Sequence, residues 1–577
     1  MKVSDYIIRV LHAQGISHVF ELSGGMITHL LDSVNRLGLV EAVSVRHEQA
    51  AAFAADAFGR LTGVPGVAMA TSGPGATNLL TGIGSCYFDS SPAVFITGQV
   101  NLDEQKGDRG IRQLGFQETD IVSMAQPITK AAFSVRAPEE VPGILRHAFS
   151  LATEGRPGPV LVDIPMGIQR AEIAVSGNLE FSSCRQTRDF SAEAEDLHRA
   201  LTRAERPLIL AGGGIRAAGA QQLFRALLER WRIPVVNSLM GVDLLPHSHP
   251  CRVGMIGSYG NRWANLALSR SDLLIVLGSR LDIRQTGSRT DRFKGDRTIY
   301  HIDCEPAEIN NRVTGCIPVH ADVKDFLQAA WLTSLQREIP AQRHLPWKSE
   351  ISALRDTHPD CSELEGTPGV NPNRLMHDLS ASCQDAAAYV VDVGQHQMWA
   401  AQSLRLNGNQ SFLTSGGMGS MGFALPAAIG AWHALKEPIA VISGDGGMQC
   451  NIQELQTVAH YGIPLKMVVV NNKCHGMVRQ FQEAYFDGRY QSTLVGYSAP
   501  DFRAVATAYG IAARSFDRPE QAAEGMEFLW RDPAKPALIE VAVDTFANAY
   551  PKMRFGCGIE EMEPLRDQDV LTAVATA

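Results

Sequence analysis

VISGDGGMQCNIQELQTVAHYGIPLKMVVVNNKCHGM, Val441–Met477, is the stretch on which the reading of the fold turns. The apolar run Ile439–Ile442 ends in Ser443-Gly444-Asp445-Gly446-Gly447. Ile452, Leu455, Val458 and Ala459 then recur at helical spacing. A second apolar run, Leu465–Val470, ends in Asn471-Asn472. The pattern is strand, helix, strand, with oxygen-bearing side chains at the carboxyl ends of both strands, where open α/β sheets bind ligands. Asp445 is a hard anionic ligand, and Asn472, 27 residues further on, a neutral one. With a nearby backbone carbonyl, that of Cys474, and two oxygens of a diphosphate, they complete an octahedral Mg²⁺ shell. Gly444, Gly446 and Gly447 let the backbone approach a phosphate closely. A lone Gly-Asp-Gly is an ordinary turn; the turn, helix, second strand and Asn pair in this order are far more specific.

The same alternation fills the rest of the chain. Val67–Ala70, Ala93–Thr97 and Val160–Ile164 are continuous apolar runs, as in strands of a parallel sheet buried on both faces. A polar linker near 176–186 follows. A second block starts at Pro207–Gly214 and continues through Asp272–Gly278 and Thr298–Asp303. A stretch rich in Pro, Arg, Glu and Ser, about 335–372, reads as an interdomain linker. The third block holds Ala388–Val393, Ile439–Ile442, Leu465–Val470 and Ala537–Val543. The fold class expected is α/β, with three doubly wound parallel-sheet domains at 1–175, 190–335 and 370–550 and a tail at 551–577.

Composition narrows the function. Of 577 residues, 45% are apolar and 20% charged, an ordinary globular profile. The net charge of −9 argues against a nucleic-acid surface. There is no apolar run of membrane-spanning length, and Met1–Gly15 reads as an amphipathic helix rather than a signal peptide. The ten cysteines form no Cys-x-x-Cys pair, which fits reduced thiols in a cytoplasmic protein.

Gly-Asp-Gly and Asn-Asn at this spacing resemble the thiamine diphosphate (ThDP) motif of ThDP-dependent enzymes. Arg46-His-Glu-Gln-Ala-Ala-Ala-Phe-Ala-Ala-Asp56 resembles the segment that carries their catalytic carboxylate, here Glu48. By itself Glu48 is equally a helix N-terminal charge; the resemblance makes it the group that exchanges a proton with the cofactor's aminopyrimidine ring, whose electron sink is the cofactor's own. Asp392–Trp399 and Thr414–Pro426 are similar to acetolactate synthase almost residue for residue, and the likeness spans about 1–550.

The resemblance implies roles position by position. Gly394, Gln395, His396, Gly444, Gly446, Gly447, Gly476 and Met477 lie at the diphosphate, and Gly419 and Met421 support the bent cofactor. Ser72, Pro74 and Asn78, in the glycine-rich turn Thr71–Asn78, lie at the pyrimidine ring. Gly25, in Leu22-Ser-Gly-Gly25, presents a backbone N–H near the reacting carbonyl, and Phe116 and Gln117 line the substrate pocket. Arg156, Gly213, Gly214, Ser238, Leu239, Ser258, Tyr259, Arg280, Asp282, Arg284, Asp303 and Asp322 contact FAD in a structural role. Arginines suit the diphosphate and carboxylates the ribose or adenine. Tyr259 replaces a family histidine, Ala321 a glycine, Met166 a lysine and Phe481 the tryptophan that selects the acceptor. The last two bear on the acceptor side. The implied activity is decarboxylation of pyruvate and transfer of the two-carbon unit to a second carbonyl, giving 2-acetolactate where the acceptor is pyruvate. A ketone or nucleotide-linked keto sugar is the alternative acceptor. The implied assembly is a homodimer or homotetramer with the active site between subunits.

Overall fold

The computed structural model describes residues 1–175, 179, 181, 188–340 and 342–566. Three six-stranded parallel sheets, each flanked by helices, account for the chain. The first contains β1 (His18–Glu21), β2 (Glu41–Ser44), β3 (Gly66–Ala70), β4 (Ala93–Gln99), β5 (Ala131–Ser134) and β6 (Pro159–Pro165). The second contains β7 (Pro207–Ala211), β8 (Val235–Asn237), β9 (Arg252–Met255), β10 (Leu273–Leu277), β11 (Thr298–Asp303) and β12 (Ile317–His320). The third contains β13 (Ala388–Val391), β14 (Ser411–Leu413), β15 (Ile439–Gly444), β16 (Leu465–Asn471), β17 (Ala512–Phe516) and β18 (Ala537–Ala542). β3, β4, β6, β7, β10, β15 and β16 are buried along their whole length, which is why they read as unbroken apolar runs.

The first and third sheets share one strand order: β2-β1-β3-β4-β6-β5 and β14-β13-β15-β16-β18-β17. The middle sheet runs β12-β11-β10-β7-β8-β9, the Rossmann order. Each order reverses near its centre, between β1 and β3, between β7 and β10, and between β13 and β15. Ligands bind in the crevice that such a reversal opens beyond the carboxyl strand ends. The three glycine-rich stretches singled out in the sequence leave β3, β7 and β15 at these crevices.

The first and third domains share one hydrophobic core, with Phe53, Ala57, Phe423, Ile429 and Val441 in a single cluster. The Glu48–Thr62 helix lies on the Ala424–Leu435 helix so closely that a Cβ on Gly430 would come 2.0 Å from Ala54 O. His433, on the second of these helices, is wedged against His18 at 4.6 Å and Phe20 at 5.8 Å between ring centroids. Among the described residues its Nε2 has no hydrogen-bond partner, and Lys436 Nζ lies 3.3 Å from its Nδ1. Burial, with His18 and Lys436 beside it, pushes its pKa from 6.5 down to about 3. The unfolded chain therefore takes up a proton below pH 6.5 that the folded chain refuses. The stability that neutral His433 contributes is complete above pH 6.5 and is lost as pH falls toward about 3. His433→Phe is expected to gain about 2 kcal/mol on wild type between pH 7 and pH 5, read from urea midpoints at the two pH values.

Two stretches differ from the sequence reading. Within the expected linker at 335–372, Leu345–Thr357 is a helix whose Trp347 and Ile351 are buried in the middle-domain core. Trp347, Ile351 and Leu354 do recur at helical spacing, but over so short a run the surrounding charged and polar residues read as linker. The stretch expected as a tail packs on the middle domain as far as 566. Lys552–Met553 pairs antiparallel with Met562–Glu563, Met553 N donates to Ser258 O at 2.8 Å, and Ile559 and Met562 are buried. The polar linker near 176–186 and residues 567–577 lie almost wholly outside the described residues. Among the described residues no helix is long and apolar enough to cross a membrane.

Candidate active site and cofactor cleft

In the third sheet the reversal point is built by the turns after β13 and β15. Asp392, buried, takes Val393 N (2.8 Å) and Gly422 N (2.9 Å) on Oδ1 and Ala424 N (2.8 Å) on Oδ2. It thereby pins the Thr414–Phe423 loop to the strand end, and burial pushes its pKa up to about 6. His396 Nε2 accepts from Gly444 N at 3.2 Å, and a Cβ on Gly394 or Gly444 would come 2.6 Å or 2.8 Å from its ring. Burial pushes this imidazole down to about 3, so it stays neutral and keeps its acceptor lone pair.

Asp445 opens the Asp445–Cys450 helix, is buried, and accepts from Tyr497 Oη at 2.8 Å. Burial raises its pKa to about 6. Asn472 donates to Gln395 Oε1 at 3.0 Å and accepts from Cys474 N at 3.2 Å through Oδ1. Gly476 starts the next helix so near that a Cβ there would lie 2.0 Å from Gln395 Oε1. A Cβ on Gly446 would meet the Met421 Cε at 3.1 Å, and one on Gly447 would meet Asp392 Oδ1 at 2.5 Å. Gly394, Gln395, His396, Met421, Gly444–Gly447, Asn472, Cys474 and Gly476 thus converge on one crevice floored by backbone, and Met477 follows in the first turn of the helix that Gly476 opens. Gly419 supplies a positive φ of 69° in the loop that delivers Met421. The helical spacing read from Ile452 onward is realised as a 3-10 turn at Ile452–Glu454 and a helix at Leu455–Tyr461, set off from the Asp445–Cys450 helix by a break at Asn451. Asn451 turns its amide to Gln49 Oε1 (3.1 Å) and Gly422 O (2.8 Å) instead of continuing the helix.

The first sheet places Glu48 at the start of the helix after β2, buried, accepting from Asn78 Nδ2 at 2.9 Å. The turn after β3 closes over it, and a Cβ on Gly75 would lie 3.1 Å from Glu48 Oε1. In the same turn the Ser72 hydroxyl is buried without a partner among the described residues, and Pro74 is exposed. The turn after β1, which carries Gly25, docks here, with Gly24 against Thr71 and Met26 N donating to Thr71 Oγ1 at 3.2 Å. Gln117, at a φ of 65°, lies against Gly73, whereas Phe116 is 80% exposed.

The middle domain forms the third site. Arg156, Gly213, Gly214, Ser238, Leu239, Ser258, Tyr259, Arg280, Asp282, Arg284, Asp303 and Asp322 all line one cleft of about 290 Å³. Its glycine turn is tight: a Cβ on Gly214 would sit 2.6 Å from Gly278 Cα, and one on Gly213 would sit 3.1 Å from Met240 Cβ. Half-buried Arg216 lines the cleft, its Nη2 paired with Asp243 and its Nε without a partner among the described residues. One end holds Asp303, Glu308 and Asp322 with Arg156, which pairs Glu308 at 2.8 Å. The other end holds Arg280 and Asp282, 3.4 Å apart, and Arg284, which is exposed. A backbone cradle for a diphosphate, an unsatisfied buried guanidinium N–H and carboxylates for hydroxyls fit a dinucleotide.

Residues 1–124, 194–330 and 392–541 match, in turn, the N-terminal TPP binding domain, the central domain and the C-terminal TPP binding domain described for thiamine pyrophosphate enzymes. The chain belongs to the thiamine pyrophosphate enzyme family. It is 37% identical over 566 residues to "Acetolactate synthase isozyme 2 large subunit" of Escherichia coli (strain K12), covering 97% of this chain and 99% of that protein. It is 39% identical over 525 residues to "Acetolactate synthase" of Arthrospira platensis, 88% of each. A "Probable acetolactate synthase large subunit" of Methanocaldococcus jannaschii is 36% identical over 580 residues, 98% of this chain and 96% of that one.

Three residues of this family member escaped the sequence reading. Tyr497 is the direct partner of Asp445, and no motif precedes it. Asp392 was visible only as a strand-end residue, yet it anchors the Met421 loop. Glu454, fully buried, accepts Arg46 N at 2.9 Å and Thr457 Oγ1 at 2.7 Å, fixing the approach to Glu48 from the other domain. A carboxylate in an otherwise apolar helix stripe was the one available signal. One further group of possible metal ligands gathers among the described residues: Asp360, Cys361 and His377. Asp360 approaches Nε2 (2.8 Å) and Cys361 approaches Nδ1 (3.7 Å) of the same ring, and Arg405 lies 3.3 Å from Nδ1. Opposite nitrogens and an adjacent guanidinium do not make a metal cradle.

Proposed function

We propose that this chain is a ThDP- and Mg²⁺-dependent carboligase of the acetolactate synthase type, converting two pyruvates into 2-acetolactate and CO₂. The observation that carries the reading is the convergence of Asp445, Asn472, Gln395 and Met421 on one sheet-reversal crevice, in a chain that matches acetolactate synthases over nearly its whole length. Bound there, ThDP supplies the electron sink that makes decarboxylation and carbon–carbon bond formation possible. Asp445, Asn472 and the Cys474 carbonyl would hold Mg²⁺ against the diphosphate, with backbone at Gly394, His396, Gly446, Gly447, Gly476 and Met477 around it. Met421 would press under the cofactor. Glu48, buried and oriented by Asn78, would hold and exchange a proton at the aminopyrimidine nitrogen, with Ser72 and Pro74 beside that ring. The exposed backbone N–H of Gly25 would face the donor carbonyl, and Phe116 and Gln117 would close the pocket and exclude water.

The cleft of the middle domain is assigned to FAD, with the Gly213-Gly214 turn at its diphosphate and Asp303 and Asp322 at the far end. Carboligation leaves no net electron change, so that cofactor is structural. The domain units read are 1–175, 190–335 and 370–550, with Leu345–Thr357 and the stretch after 550 packed on the middle unit. Phe481 and Met418 leave apolar surface exposed, and the family resemblance implies an active site between subunits. The reading is therefore a homo-oligomer in which Glu48 faces the diphosphate site of the partner subunit. An active monomer on sizing would remove that part.

The test is CO₂ release from pyruvate with ThDP, Mg²⁺ and FAD, with products identified by mass. 2-Acetolactate as main product supports the reading, and its absence with a good rate of release defeats it. Arg284, exposed at the cleft end and without a salt-bridge partner among the described residues, is assigned to the acceptor carboxylate. Arg284→Ala is expected to raise the KM for pyruvate about tenfold, the loss of one charge-assisted hydrogen bond, with kcat little changed. Steady-state kinetics on pyruvate decide it.

A further inference from the structure

We propose that Asp89, acting with Arg60 and Asp56, is a positioning residue that couples the flavin-type cleft to the Met421 loop, so that each cofactor tightens the binding of the other. The inference rests on the cofactor assignments above. Asp89 ends the Leu80–Asp89 helix of the first domain. Its Oδ1 accepts Gly417 N at 2.6 Å, and its Oδ2 accepts Gly416 N at 3.2 Å and Arg60 Nη2 at 3.0 Å. Arg60 is held by Asp56 through Nε at 2.5 Å and Nη2 at 2.8 Å, and its Nη1 donates to Thr414 O at 2.8 Å. Its guanidinium lies 5.4 Å from the Phe423 ring centre. One guanidinium and two carboxylates, with side chains 7%, 0% and 2% exposed, thus grip the Thr414–Phe423 loop of the third domain from the first.

The same residues are a wall of the cleft: Arg60, Asp89, Gly416 and Gly417 all face it. Met240 completes the link. It separates the two glycine turns, since a Cβ on Gly213 would lie 3.1 Å from its Cβ and one on Gly416 2.5 Å from its Sδ. At its other end the loop is fixed by Asp392 and delivers Met421 over Gly446. A loop of ten residues gripped at both ends, with a ligand site at each, has little slack to absorb a displacement. Filling the cleft restrains Gly416 and Gly417, so the ordering that ThDP would otherwise impose on the loop is already in place. The coupling is reciprocal by thermodynamic necessity.

The experiment measures ThDP affinity, with Mg²⁺ in excess, by intrinsic fluorescence with and without FAD, and FAD affinity by flavin fluorescence with and without ThDP. In the wild type each affinity is expected to improve about tenfold when the other cofactor is present, by the same factor in both directions. In Asp89→Asn, which keeps the shape but removes the charge held between Arg60 and the loop, the factor is expected to fall below about twofold, while both cofactors still bind singly. Asp89→Glu, which restores the charge, should recover part of it. Met240→Ala leaves the buried charges intact and is expected to reduce the factor too, and it serves where Asp89→Asn does not fold. Independent binding in the wild type, or a full factor surviving in both Asp89→Asn and Met240→Ala, overturns the coupling. Failure of FAD to bind the wild type at all overturns the assignment of the cleft, and the coupling with it.

Discussion

Glu48→Gln is expected to lower turnover with pyruvate about 10³-fold while ThDP affinity and thermal midpoint stay close to wild type. The magnitude is that of losing a positioned acid–base group. The substitution is nearly isosteric, and the Asn78 Nδ2 donor, 2.9 Å away, still finds an amide oxygen. The Glu48–Thr62 helix keeps its packing on the Ala424–Leu435 helix, so stability gives no reason for a change. What is lost is a carboxylate that can hold a proton at the pyrimidine. Steady-state kinetics with a direct ThDP titration separate the two effects. A variant with near-normal kcat would remove Glu48 from the chemistry, and one that fails to bind ThDP would make it a structural residue.

Asp445→Ala is expected to weaken Mg²⁺-dependent ThDP binding by about 10²-fold or more, equivalent to about 2.7 kcal/mol. The carboxylate is the one anionic oxygen donor assigned to the metal, and its removal also strips the Tyr497 hydroxyl of its acceptor. Asn472→Ala should cost less, because a neutral amide contributes less to a divalent cation and because Gln395, its other partner, remains anchored to Gln480 at 3.1 Å. Titration of ThDP at fixed Mg²⁺, with metal content measured on the dialysed protein, reads both. Unaltered affinity in Asp445→Ala would place the metal elsewhere.

What was legible in the sequence was whatever is local. The continuous apolar runs announced buried parallel strands because both faces of those sheets are covered. The glycine turns at Gly73, Gly214 and Gly447 could be placed at strand ends because close approach there leaves no room for a Cβ, a constraint carried by a single residue. Asp445 and Asn472 were readable from motif spacing, and Glu48 only through the family resemblance. The Leu345–Thr357 helix was hidden because three apolar residues, Trp347, Ile351 and Leu354, carry its packing amid a charged stretch that reads as linker.

What only the tertiary structure decided is which strand ends share a crevice. The sequence by itself determined three α/β units, their turns and their candidate ligands. It was silent on the reversal points of each sheet, because strand order depends on crossovers between segments far apart in the chain. Tyr497 meets Asp445 across 52 positions, Glu454 meets Arg46 across 408, and Asp89 meets Gly417 across 328. Contacts of that kind leave no periodicity. They arise because a buried carboxylate must find donors wherever the folded chain brings them.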